Sequence, residues 1–243
     1  NIDAIIAASD AIMVARGDLA IEIPAEEVPL VQKMLIQKCN ALGKPVITAT
    51  QMLESMIKSP VPTRAEVSDV ANAIIDGTDA IMLSEETTLG DYPVEAVEMM
   101  TRIALRVEKD VYTTDTIAEY EDSHGITDVV SQSAVLASHE IEARFIVALT
   151  ESGRTARMLA RYRPAERVVA LTTNEISANK LMLSFGCYPV VVQKFSTVNQ
   201  IMNLVRKVAM KENYAVKGDK VVIVAGMPFG KIQETNMMLV ETI

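Results

Sequence analysis

The chain has 243 residues, of which 49% are hydrophobic and 23% charged, and a net charge of −9. That composition excludes a disordered polymer and allows one large domain or two modest ones. The acidic balance excludes a general polyanion binder, because nucleic-acid affinity rests on neutralising phosphates with Lys and Arg.

The longest stretch free of both charged and strongly polar residues, Val221–Gly230, is about half of what a membrane-spanning helix needs. Cys39 and Cys187 lack CxxC spacing, so neither a disulfide framework nor a zinc site is expected, and a reducing, cytoplasmic setting fits. No secretory pattern opens the chain, and Asn1 in place of Met leads to the expectation of a fragment.

Over the first hundred residues a short apolar run, a polar loop and an amphipathic helix recur. The runs are Ala11–Ala15, Pro45–Thr50 and Ala80–Leu83, at spacings of about 34 residues. Strand-length runs alternating with helices predict βα units and a parallel sheet. Pro24 and Gly43 bracket the first helix, Thr63-Arg64-Ala65-Glu66 reads as a capping box for the second with Gly77 as its stop, and Pro93 opens a third reaching about Asp110. From Val111 to Gly125 the apolar period fades into Thr, Asp, Glu, Ser and Gly, which predicts a linker over 113–126 between domains 1–112 and 127–243.

The second domain reads as helix Thr127–Glu142, strand Phe145–Leu149, helix Thr155–Tyr162, strand Val168–Leu171 and helix Glu175–Phe185 with Gly186 as its stop. Strand Tyr188–Gln193, helix Val198–Asn213 and strands Lys220–Ala225 and Met237–Thr242 complete an α/β layer with a mostly parallel sheet. Three βα units cannot close a parallel barrel, which needs eight, so the expected N-terminal architecture is part of one.

Each of the first three strands runs into polar residues: Arg16-Gly17-Asp18, Thr50-Gln51 and Ser84-Glu85-Glu86-Thr87. In βα barrels reacting groups gather at the carboxyl ends of strands, so three such endings point to one site. Gly17 lets backbone N–H groups approach an anion, Asp18 is a ligand type for a hard cation such as Mg²⁺, and the Thr50 hydroxyl suits a phosphoryl or carboxylate oxygen. The same residue types also serve ordinary helix starts and turns, so spacing alone leaves both readings open. Arg16-Gly17-Asp18 also spells an adhesion tripeptide, which its place directly after an apolar strand argues against. In the second domain Thr150, Ser152, Gly153, Arg154 and Thr155 lie between a strand and a helix, a pattern that offers hydroxyls and a helix N-terminus to one phosphate or makes a generic capped turn. His124 and His139 have no ligand-spaced neighbours, and the Met residues read as adaptable core filler.

The blocks Ser9–Leu19 (SDAIMVARGDL), Gly43–Ile47 (GKPVI), Ala49–Met56 (ATQMLESM), Pro62–Glu66 (PTRAE), Ser68–Asn72 (SDVAN) and Asp79–Ser84 (DAIMLS) together resemble the second half of a bacterial-type pyruvate kinase. The likeness continues through the second domain. It implies the last three βα units of a TIM barrel followed by the family's C-terminal effector domain, in an enzyme that moves the phosphoryl group of phosphoenolpyruvate to ADP, giving pyruvate and ATP in glycolysis. By the resemblance Asp18 is the divalent-metal ligand (Mg²⁺ or Mn²⁺), and Gly17 and Asp18 cradle the anionic end of the substrate. Thr50 stands beside the phosphoryl and carboxylate groups, and Ser84 and Glu86 lie near the enolate protonation path. It further implies K⁺ as a second cation, a phosphorylated effector on Thr150–Thr155, and a homotetramer with no nucleic-acid or membrane partner. Glu85 departs from the family's usual Gly and adds a charge near the site.

The family's catalytic lysine, second metal carboxylate, monovalent-cation ligands and lid domain have no counterpart in this sequence, so the fragment alone is expected to be inactive. Two other readings remain at this stage: a non-catalytic phosphate-binding regulatory protein, and a barrel lyase acting on phosphoenolpyruvate-like substrates.

Overall fold

A computed structural model describes residues 1–111, 125–195, 197–228 and 234–243. His124 and all but the last two positions of the linker expected over 113–126 lie outside the described residues. The chain forms two compact units, Asn1–Tyr112 and Thr113–Ile243, and both are α/β with parallel strands.

In the first unit, α1 (Ile2–Ala8), β1 (Ile12–Ala15), α2 (Arg16–Glu22), α3 (Val28–Ala41), β2 (Val46–Ala49), α4 (Arg64–Ile75), β3 (Ala80–Met82), α5 (Glu85–Thr88) and α6 (Pro93–Val111) follow in order. The strands form one parallel sheet in the order β1-β2-β3, with Met13 beside Ile47 and Ile47 beside Ala80. Strand side chains alternate between faces. Val14 and Val46 accordingly enter a core with Ile6 and with Leu35, Ile36 and Cys39 of α3. A second core joins Met52, Leu53 and Met56 to Val70, Ala73 and Ile74 of α4 and Met100 and Ile103 of α6.

Local signals explain the helix limits. The Thr63 Oγ1 accepts from the Glu66 amide (3.2 Å) and the Glu66 carboxylate accepts from the Thr63 amide (2.7 Å), closing the capping box at the start of α4. Helix α3 carries its proline at Pro29 in its first turn, whereas Pro24 precedes a short 3₁₀ turn, so the helix starts later than Pro24 predicts. Helices α1, α2 and α5 were not expected, being four to seven residues long and too short to display an amphipathic period. The Lys44 ammonium satisfies the orphan carbonyls at the end of α1, donating to Ile6 O, to Ala7 O (2.7 Å) and to Ser9 O (2.7 Å).

The second unit holds α7 (Ile126–Glu140), β4 (Phe145–Leu149), α8 (Arg154–Ala160), β5 (Arg167–Thr172), α9 (Glu175–Leu181), β6 (Cys187–Val191), α10 (Val198–Lys211), β7 (Lys220–Ala225) and β8 (Met237–Thr242). Its five strands run in the order β6-β5-β4-β7-β8, all parallel except β8, which pairs antiparallel with β7. Ile146, Ala148, Val168, Ala170, Val222 and Val224 pack on one face with Leu159 of α8 and Leu181 of α9. Phe145, Val147, Val169, Leu171, Val221 and Ile223 pack on the other with Ile201, Val205 and Val208 of α10. Helix α9 ends at Leu181, short of the expected Phe185, and Gly186 with φ of +61° turns the chain into β6 instead of capping that helix. Among the described residues no helix is long and apolar enough to cross a membrane.

Candidate functional site

Because β1, β2 and β3 are parallel, their carboxyl ends lie along one edge of the sheet, and the three polar endings meet there. Arg16-Gly17-Asp18 is not a loop but the first turn of α2. The Gly17 amide donates to Thr50 Oγ1 at 3.1 Å, joining the ends of β1 and β2. Asp18 is exposed beside this contact in sequence, and Thr50 is half-buried.

The backbone after β2 is held in an unfavourable form. Thr50 and Gln51 have φ of +67° and +54°, consecutive left-handed conformations that cost about 1–2 kcal/mol per non-glycine residue. Arg16, only 8% exposed, grips this turn. Its Nε and Nη2 donate to Thr50 O (3.2 and 2.7 Å), and Nη2 also reaches Gln51 O (3.2 Å). On its other side Nη1 pairs with Asp69 of α4 at 2.6 Å. Sequence reasoning gave neither Arg16 nor Asp69 a role here, since 53 positions separate the two.

Two carboxylates hold the rest of the segment. Glu86, 2% exposed, accepts the Leu53 amide on Oε1 (3.0 Å) and the Ser84 amide on Oε2 (2.8 Å), tying the chain after β2 to the chain after β3. Both of its oxygens are therefore committed to the backbone. The Ser84 carbonyl accepts from the hydroxyls of Thr87 and Thr88, both at 3.1 Å, and Glu85 is exposed at the start of α5. Gly90 follows because a Cβ there would stand 2.4 Å from the Glu86 carbonyl oxygen.

The second carboxylate is Glu66, whose oxygens accept from the Ser55 amide (2.7 Å) and hydroxyl (2.5 Å) as well as from Thr63. Burial alone would raise the Glu66 carboxyl, but the combined hydrogen bonds from Ser55 and Thr63 outweigh it and hold the group below its ordinary range. Cys39 offers no nucleophile. Burial, reinforced by the Asp79 charge and only partly offset by Lys44, pushes its thiol up to about 11.

In the second unit the turn between β4 and α8 centres on Gly153, with φ of +80°. That conformation favours glycine, while a Cβ there would only press on the mobile end of Arg157 (2.8 Å from Nη1) and on Leu181 (3.2 Å). Ser152 and Arg154 are exposed, while Thr150 and Thr155 are buried. The Thr155 hydroxyl already meets the Thr235 hydroxyl at 2.9 Å, and the Thr235 amide donates to Thr127 Oγ1 at 3.2 Å. These two further threonines, 80 and 108 positions from their partners, link the turn to the start of α7 and to the approach to β8 without any local sequence signal.

Comparison with known proteins follows this division of the chain. Residues 1–97 match the family model "Pyruvate kinase, barrel domain" and residues 128–241 match "Pyruvate kinase, alpha/beta domain". The pyruvate kinase of Sporosarcina psychrophila is 51% identical over 245 aligned positions, covering all of this chain and 42% of that protein. That of Clostridium acetobutylicum is 48% identical over all of this chain and 52% of its own length. A crystal structure of a pyruvate kinase from Cryptosporidium parvum superimposes with a TM-score of 0.89 at 38% identity, again over the whole chain and 48% of the other. The chain thus spans about half the length of the relatives it matches. With consecutive matches to both domain models and near-half identity along its whole length, it belongs to the pyruvate kinase family.

Proposed function

We propose that this chain supplies part of the active site and the effector domain of a cytoplasmic pyruvate kinase, which transfers the phosphoryl group of phosphoenolpyruvate to ADP. The observation that carries the reading is the convergence of Gly17, Thr50 and Ser84 at the carboxyl ends of three register-matched parallel strands. Such transfers demand positioning and charge neutralisation more than covalent work by the protein.

In this reading the first unit is the last part of a TIM barrel. What supports it is the sheet face opposite α3, where Met13, Ile47 and Ala80 lie side by side and Met13 is 52% exposed. Parallel sheets are normally covered on both faces, and a register-matched layer of side chains is what fills a barrel interior.

Asp18 offers one hard oxygen donor. Among the described residues no group of three His, Cys, Asp or Glu stands where it could hold a metal ion. A single carboxylate fits Mg²⁺ or Mn²⁺ bound jointly with substrate oxygens and further donors, the usual habit of a small cation that keeps few protein ligands. When bound, such a cation supplies charge neutralisation for the phosphoryl oxygens. K⁺ enters from the family likeness alone, and no residue is assigned to it.

The Thr50 hydroxyl, aimed by the Gly17 amide, orients the anionic substrate. Ser84 serves the protonation of the product enolate. Glu86, with both oxygens on backbone amides, sets the Ser84 backbone and acts through it. The turn Thr150–Thr155 takes a phosphorylated effector, supported by its exposed Ser152 and Arg154 and the glycine-dependent bend at Gly153. The working protein is a homotetramer.

The test is pyruvate formation by the complete protein, with phosphoenolpyruvate, ADP and Mg²⁺ each supplied or withheld. Turnover that needs all three is expected, and Asp18→Ala should lower it by orders of magnitude while leaving the melting temperature in place. Substrate consumption without ADP would instead support a lyase. Effector binding without any turnover would support a regulatory protein.

A further inference from the structure

We infer that Asp69, on α4, is a positioning residue for the reaction proposed above: it holds the Arg16 guanidinium and, through it, the left-handed Thr50–Gln51 turn that aims the Thr50 hydroxyl. The inference rests on that reading of the site.

A guanidinium is a rigid planar fork, so a carboxylate on one edge fixes where the other edge points. Here Asp69 takes Nη1, and the opposite edge delivers Nε and Nη2 to the Thr50 and Gln51 carbonyls. The next residue, Gly17, donates its amide to the Thr50 hydroxyl. One dipeptide therefore grips both the carbonyl and the side chain of Thr50. Neither Thr nor Gln prefers a positive φ, so the turn persists only while it is held from outside.

Asp69 lies three positions after Glu66, on the same side of α4. Glu66 holds Ser55 at the far end of the same segment, so two carboxylates one helical turn apart fix its two ends. An exposed ion pair would contribute little, but Arg16 is buried, and removing its counter-charge leaves a buried cation uncompensated.

The experiment compares wild type, Asp69→Asn, Asp69→Glu and Arg16→Lys in the complete protein. It measures kcat and the KM for each substrate, the melting temperature, and amide exchange in peptides spanning 50–55 and, as a control, 145–149. The expected result for Asp69→Asn is faster exchange in 50–55 alone. It is accompanied by a kcat lower by about tenfold to a hundredfold, the scale of a small misplacement of a reacting group, with little change in the KM for ADP. Asp69→Glu, which keeps the charge, should recover part of kcat, and Arg16→Lys, which keeps the charge but not the fork, should behave like Asp69→Asn.

Unchanged exchange in 50–55 for both Asp69→Asn and Arg16→Lys overturns the inference, as does faster exchange with an unchanged kcat. If Asp69→Asn does not fold, Arg16→Lys and Asp69→Glu decide by the same readouts. A folded wild type that forms no pyruvate overturns the proposed function instead, and exchange in 50–55 then decides the tether by itself.

Discussion

The two sheets of this protein differ in how far they are buried and in what fixes their ends. In the C-terminal unit every residue of β4 is buried, as are all residues of β5 and β7 after the first, because helices cover both faces of the sheet. In the N-terminal unit the central strand β2 has three of its four residues buried, but β1 has one and β3 none. The carboxyl end of that sheet is fixed instead by charged side chains: Arg16 on Thr50 and Gln51, Glu86 on Leu53 and Ser84, Glu66 on Ser55. Apolar packing gives a stiff, non-directional base, whereas hydrogen bonds fix direction, which is what a site that must orient small anions requires. Both units draw stability from buried area, and the carboxyl end of the first sheet adds charged tethers that fix its geometry.

Substitutions that sever one mode and spare the other sharpen this contrast, with peptide-resolved amide exchange of the complete protein as the readout. The largest effect is expected at Phe145, fully buried and edge-on to Tyr214. Phe145→Ala should cost about 3–5 kcal/mol, lowering protection throughout 145–149, 167–172 and 220–225 while leaving 50–55 unchanged. Next comes Glu86→Ala, which abandons two backbone amides at a cost of about 1–3 kcal/mol each. Its effect should centre on residues 53 and 84, and Glu86→Gln, which keeps one acceptor oxygen, should lose less. Equal loss of protection in both units from either variant would break the contrast.

A smaller effect is expected at Gly153→Ala, about 1–3 kcal/mol from the positive φ, localised to 150–157. The smallest is Thr63→Ala, about 1 kcal/mol from loss of the cap on α4. Acid sharpens this last case. The Glu66 carboxyl is held below its ordinary range in the folded chain, so its contribution is complete above the unfolded carboxylate range and is lost as pH falls through the lowered folded value. A pH series of exchange at Ser55 should therefore show protection falling in acid, and Glu66→Gln should flatten that dependence.

Much of the C-terminal unit was legible in the sequence because its central strands are buried on both faces and read as unbroken apolar runs. Phe145–Leu149 and Lys220–Ala225 coincide with the observed strands for this reason, while Met237–Thr242, which also coincides, alternates half-buried and exposed residues along the edge of the sheet. The Thr63–Glu66 capping box was legible too, since all its atoms lie within four residues. Helix α2 was not, because Gly17 at its second position is a poor helix former and its seven residues are too few to show a period. At the site, the residue types at the strand ends singled out Gly17, Thr50 and Ser84. The tethers were hidden, because Arg16 to Asp69 and Glu86 to Leu53 are pairings that only the folded sheet brings within reach. Glu86 shows what geometry adds to residue type: beside Ser84 the sequence offers a carboxylate, and the fold puts a backbone amide on each of its oxygens.

The antiparallel strand β8 has a consequence for how the chain tolerates shortening. It pairs with the full length of β7, from Lys220 opposite Thr242 to Ala225 opposite Met237, and Ile243 closes the ladder with bonds to Gly218 and Asp219. Strand β7 is apolar on both faces, so without that cover its bare backbone edge would be flat, unpaired and flanked by Val and Ile, the kind of template on which other chains add. A chain lacking residues 237–243 would therefore fail by self-association in the test tube well before its remaining core gave way.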